Sequence, residues 1–85
     1  MTSASEQRIE RLREVETVCY RICYHILGSE TPAHEAAKLA LRKLYHAESF
    51  FLADTAEQAG LLRREAVAAC MKLHMEQEDG KAVGA

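Results

Sequence analysis

Residues 3–28 read SASEQRIERLREVETVCYRICYHILG, and the spacing within this stretch decides the fold. Ser3 is followed three positions later by Glu6, the pattern of a capping box at a helix start. Leu12, Val15, Cys19, Ile22 and Ile26 then recur at alternating steps of three and four, which places all five on one helical stripe. Ile9 and Cys23 widen that stripe. Gly28 supplies the residue that most readily takes the left-handed conformation closing a helix. The spacing predicts a helix over about residues 4–27.

The next segment opens with Thr31 as the expected N-cap and Pro32 at the first helical position, where a missing N–H is not needed. Ala33, Ala37, Ala40, Leu44, Ala47 and Phe51 follow helical spacing, with Leu41, Tyr45 and Phe50 beside that line, so one helix is predicted over 32–52. Small alanines let a neighbouring helix approach closely. Asp54, with Glu57 three residues on, repeats the capping-box spacing. Ala59, Leu62, Ala66, Ala69 and Leu73 form the stripe of a third helix over 55–78, despite Gly60 in its interior. Acidic residues from Glu76 to Asp79 oppose the dipole at its end, so fraying is expected there. Residues 80–85 read as a disordered tail. Three helices joined by short connections predict an all-α domain over 1–79, a small three-helix bundle.

Composition bounds the function. The chain has 85 residues, 48 % of them hydrophobic, but much of that share is alanine, with no tryptophan, two phenylalanines and three tyrosines. A core built from so few large side chains is small, so self-association is expected to help complete it. The net charge of −2, with both signs interleaved, lacks the basic stripe of a nucleic-acid binder, and no direct DNA contact is expected. No apolar run is long enough to span a membrane, and residues 1–8 are too polar for a secretory signal. Three cysteines, an odd count, fit reduced thiols in a cytoplasmic protein better than a disulfide framework.

Few residues suggest chemistry. Cys19 and Cys23 are four apart on one predicted helix, and Cys70 and His74 four apart on another, at similar heights in an up-down-up bundle. That set has the donor types of a Cys₃His zinc site, the alternative to buried cysteines packing as small hydrophobes, which is the preferred reading. His25, His34 and His46 fall on separate faces, and none pairs with a nucleophile in a recognisable catalytic arrangement. No glycine-rich phosphate loop is present. No enzyme activity and no cofactor are expected. Arg42, Lys43, Arg63, Arg64 and Lys72 are interspersed with glutamates and read as a solvated mixed face. Tyr20, Tyr24 and Leu27 form a second apolar line on the first helix, and Leu39 and Leu41 a similar one on the second. Such surplus predicts a face for a partner or a second copy of the chain.

The stretch from Tyr20 to Phe51, YRICYHILGSETPAHEAAKLALRKLYHAESFF, resembles region 2 of the sigma-70 superfamily, above all the small extracytoplasmic-function type. Ile26-Leu27-Gly28 matches the family's leucine-x-glycine helix end. Ala33 and Glu35 fall on the alanine and second acid that open its second helix, and Lys43-Leu44-Tyr45 falls on its arginine-x-tryptophan. Leu61-Leu62-Arg63 is similar to part of the promoter-reading helix. The family's polymerase contact, a glutamine followed by a glutamate, is replaced by Lys38 and Leu39. Ala66, Ala68 and Ala69 stand where basic and aromatic residues would read the −10 element. The region that reads the −35 element has no counterpart. The resemblance therefore implies a degenerate region 2 acting as a transcription-associated adaptor or regulator, its partner an RNA polymerase or a transcription factor. The residues expected to carry that contact are Tyr20, Tyr24, Lys38, Leu39, Arg42 and Tyr45. A self-associating helical module unrelated to transcription is the alternative.

Overall fold

A computed structural model describes residues 3–84, with side chains through Glu76. It is an all-α bundle of α1 (Ala4–Leu27), α2 (Glu30–Tyr45), α3 (Glu48–Leu52) and α4 (Thr55–Gly84). No strand occurs among the described residues. The first helix has the bounds its sequence predicts. Ser3 caps it by accepting from the Glu6 N–H at 3.1 Å. Gly28 closes it at φ 71°, its N–H donating to the Tyr24 carbonyl at 2.7 Å.

The second predicted helix is corrected in two ways. It begins earlier: Ser29 rather than Thr31 is the N-cap, and Pro32 sits third in the helix. The first turn has no intrahelical use for its N–H groups, so proline is tolerated there too. It also ends earlier. His46 adopts φ −91°, ψ 0° and Ala47 φ −97°, ψ 99°, which breaks the predicted 32–52 helix into α2 and α3. The Ala47 N–H reaches back only three residues, to the Leu44 carbonyl at 3.0 Å, a tightened final turn.

Asp54 caps α4 as its spacing predicts, accepting from the Glu57 N–H at 2.8 Å. The helix runs to Gly84, beyond the predicted end near 78. The tail expected over 80–85 falls where side chains lie outside the described residues.

The core is alanine, cysteine and a few large residues: Cys19, Cys23, Ala33, Ala36, Ala37, Ala40, Leu44, Phe50, Leu62, Ala66, Ala69, Cys70 and Leu73. The predicted stripe on α1 is therefore rotated. Its fully buried members are Cys19 and Cys23, whereas Ile9 and Ile26 are 44 % and 46 % exposed. On α4, Ala59 faces solvent and Gln58 is buried instead.

Gln58 explains the break between α2 and α3. Its amide nitrogen donates to the Phe50 carbonyl at 2.8 Å, and its amide oxygen accepts from Arg11 Nε at 2.9 Å. Arg8 binds on the same side. It donates to the Tyr45 carbonyl at 3.0 Å, at the last turn of α2, and its guanidinium lies 4.7 Å from the centre of the Phe51 ring. Glu48 approaches Arg8 at 3.9 Å, and the Ser5 and Tyr45 hydroxyls pair at 2.8 Å. Arg8 of α1 thus serves the Tyr45 carbonyl and Gln58 of α4 the Phe50 carbonyl on either side of the break. In return the bend turns Phe50 fully inward.

Candidate partner-binding groove

The seam between α1 and α2 carries a shallow cleft of about 280 Å³, lined by Glu16, Thr17, Tyr20, His34, Ala37, Lys38 and Leu41. Helical spacing puts these residues there. His34, Lys38 and Leu41 recur at four and three on α2, and Tyr20 lies four residues from Glu16 and three from Thr17 on α1. Ala37 forms part of the wall and is buried, so the helices pack closely there. The Tyr20 ring lies against His34, with centroids 4.5 Å apart and planes at 31°. Tyr24 adds a second aromatic surface 6.0 Å from Tyr20 and is 45 % exposed.

Electrostatics keep this cleft amphipathic. Loss of water around the Tyr20 hydroxyl, then the Glu30 carboxylate and Tyr24, hold its pKa above the ordinary tyrosine value. It therefore stays a neutral hydrogen-bonding group. Lys38 brings a cation on a flexible apolar stem, and Glu16 a carboxylate. Such a site can stack an aromatic ring, bury an aliphatic side chain and pair a charge at its rim.

The six residues expected to bind a partner do not form one patch. Tyr20 and Lys38 line the cleft and Tyr24 adjoins it. Tyr45 lies on the same α2 stripe but is engaged with Ser5 at the opposite end of the seam. Arg42 is exposed, about 40° around α2 from Lys38. Leu39 is turned by about 100° and packs, half-buried, against the core. His34 and Leu41 join the site in their place. The 34–38–41–45 spacing was the available signal for them. No such signal marked Arg8, Arg11 and Gln58, whose partners are distant in sequence.

The thiol set is brought together only in part. Cys19, Cys23 and Cys70 are free, and none has any exposed surface. The Cys19 thiol donates to the Ala37 carbonyl and the Cys23 thiol to the Ala66 carbonyl, each at 4.0 Å. Burial pushes Cys19 up to about 11 and Cys70 up to about 12, so all of these groups remain protonated thiols at neutral pH. His74 stays on the exposed side of α4. Among the described residues no group of three or more His, Cys, Asp or Glu side chains is placed to hold a metal ion.

The fold and the cleft define a small all-α bundle with an open amphipathic seam. No described helix is long and apolar enough to cross a membrane. No family model, no curated protein and no solved structure matches the chain.

Proposed function

We propose that this chain is a non-catalytic, cytoplasmic protein-interaction domain of the sigma region 2 kind, a transcription-associated adaptor that engages its partner through the α1–α2 seam. The observation that carries this reading is the open cleft in which the stacked pair Tyr20 and His34 stands beside Lys38 over an apolar wall. Rigid aromatic surface beside a cation on a small-residue scaffold is what concentrates binding energy at protein interfaces. In the resemblance, Lys38 occupies the place of the family's polymerase-contacting glutamine. A cation in that place suits an acidic partner surface and changes the usual polymerase contact. Three free cysteines fit a reducing compartment.

A pull-down against core RNA polymerase and purified sigma factors tests the proposal, with Tyr20→Ala and Lys38→Glu as controls. Capture of one of these partners by the wild type, abolished in both variants, is the expected result. Capture of neither, or capture indifferent to both substitutions, removes the reading.

A second reading, self-association, is favoured by apolar side chains at the surface. Val18, Ile26, Leu52, Met71 and Met75 are all exposed, Leu52 at 83 %. Such surface invites a second copy. Sedimentation velocity up to high micromolar concentration decides it. A mass that rises with concentration supports it, and a constant monomer ends it.

A further inference from the structure

One turn of α4 carries soft donor atoms out to solvent. Met71, His74 and Met75 line a cleft of about 210 Å³ together with, among the described residues, Ile26 and Leu27 of α1 and Cys70 of the buried thiol layer. Met71 and Met75 are four apart, about 6 Å along the helix axis and about 40° around it, with His74 beside Met75. Both methionines are well exposed, at 59 % and 61 %, which is unusual for so apolar a side chain. Each has the three rotatable bonds needed to turn its sulfur into the cleft without disturbing the core.

The chemistry of this lining is selective. Two thioethers and an imidazole offer soft and borderline donor atoms, and among the described residues no carboxylate lines the cleft. Hard or borderline divalent cations are held by oxygen, thiolate or several imidazoles, whereas thioethers favour soft monovalent ions. Ile26 and Leu27 offer no competing ligand and exclude water from one side. Cys70 closes the floor as a buried thiol.

We propose that Met71, His74 and Met75 form a three-coordinate site for a soft monovalent cation of the Cu(I) class. The site lies apart from the α1–α2 seam and is independent of the adaptor reading.

Silver(I), a diamagnetic soft cation, is the probe, titrated into the full chain in chloride-free buffer while methyl and imidazole NMR signals are followed. One equivalent is expected to shift the Met71 and Met75 methyls and the His74 ring, leaving the Met1 methyl unmoved, and zinc is expected to leave all of them in place. The double variant Met71→Leu/Met75→Leu keeps the apolar surface and removes both sulfurs. Its silver affinity is expected to fall by about tenfold or more with unchanged helicity. Undiminished affinity in that variant would mean that the buried thiols hold the ion, and the proposal fails. Methionine signals that stay fixed at millimolar silver overturn it equally, leaving these residues as an apolar contact surface.

Discussion

At the residue scale, two buried polar features govern the energetics. Gln58 is the buried polar residue among the described ones, and both ends of its amide are used, one by the Phe50 carbonyl and one by Arg11. Gln58→Ala leaves that carbonyl only the longer bond from the Ala53 N–H, at 3.4 Å, and removes the Arg11 acceptor, so a loss of about 1–3 kcal/mol in urea denaturation is expected. The thiols act differently. Burial raises Cys19 from its ordinary 9.0 to about 11. As pH rises through 9 the unfolded chain gives up that proton first, and the folded chain keeps it until about 11. Stability contributed by the neutral buried thiol is therefore complete below pH 9 and declines between 9 and 11. Chemical denaturation at stepped pH should show that decline, and Cys19→Ala should lessen it, leaving the part that Cys70, raised to about 12, contributes. Burial of Cys19 could be read from the stripe on which it falls, whereas Gln58 could not be read from spacing. Gln58 was hidden beside a better-looking apolar position at Ala59, because what selects it is a carbonyl eight residues away and an arginine forty-seven away.

At the element scale, what local grammar controls was legible and what tertiary contacts control was not. Ser3, Gly28 and Asp54 cap or close helices as their residue types dictate, and α1 has its predicted bounds. The break at His46 and Ala47 was invisible, because no glycine or proline marks it and the apolar spacing continues through Leu44, Ala47 and Phe51. It exists because Arg8 and Gln58 supply partners for the exposed carbonyls and because Phe50 gains full burial. The same distinction was responsible for the site. The α2 stripe that holds Lys38 was readable, while its stacking partner across the seam depended on how α1 rotates. Two glycines test the local part with opposite signs. Gly28 sits at φ 71°, so Gly28→Ala forces a side chain into left-handed backbone and should cost about 1 kcal/mol. Gly60 lies within α4, and a Cβ there meets nothing within 4 Å. Gly60→Ala should stabilise by roughly 1 kcal/mol through helix propensity. Thermal melts followed by circular dichroism check both, and equal signs would contradict this account of the two positions.

At the scale of the molecule, shape and core composition converge on one consequence. The chain spans 54 × 22 × 20 Å with a radius of gyration of 14.2 Å, against about 12 Å for a rounder domain of this length. Elongation of this kind leaves more apolar surface uncovered, in keeping with the exposed Ile26, Met71 and Met75. Within the core, alanines let α2 approach α1 and α4 closely, but each contributes little area, so the stabilisation rests on few large side chains. Among the fully buried ones Phe50 is the largest and Leu44 the next. A chain of this length has a total stability of about 4–13 kcal/mol at typical values per residue. Removing a buried phenylalanine costs about 3–5 kcal/mol. Phe50→Ala should therefore consume a large part of the total and release the α3 turn, since the Gln58 hydrogen bond loses its fixed carbonyl. Circular dichroism at 25 °C is expected to show a partly unfolded population for Phe50→Ala, while Leu52→Ala, at an exposed neighbour in the same short helix, melts like the parent. Similar melts for the two variants would mean that α3 is not part of the cooperative core. In that case the bundle would be held by the α1, α2 and α4 seams alone, with the thiol layer at its centre.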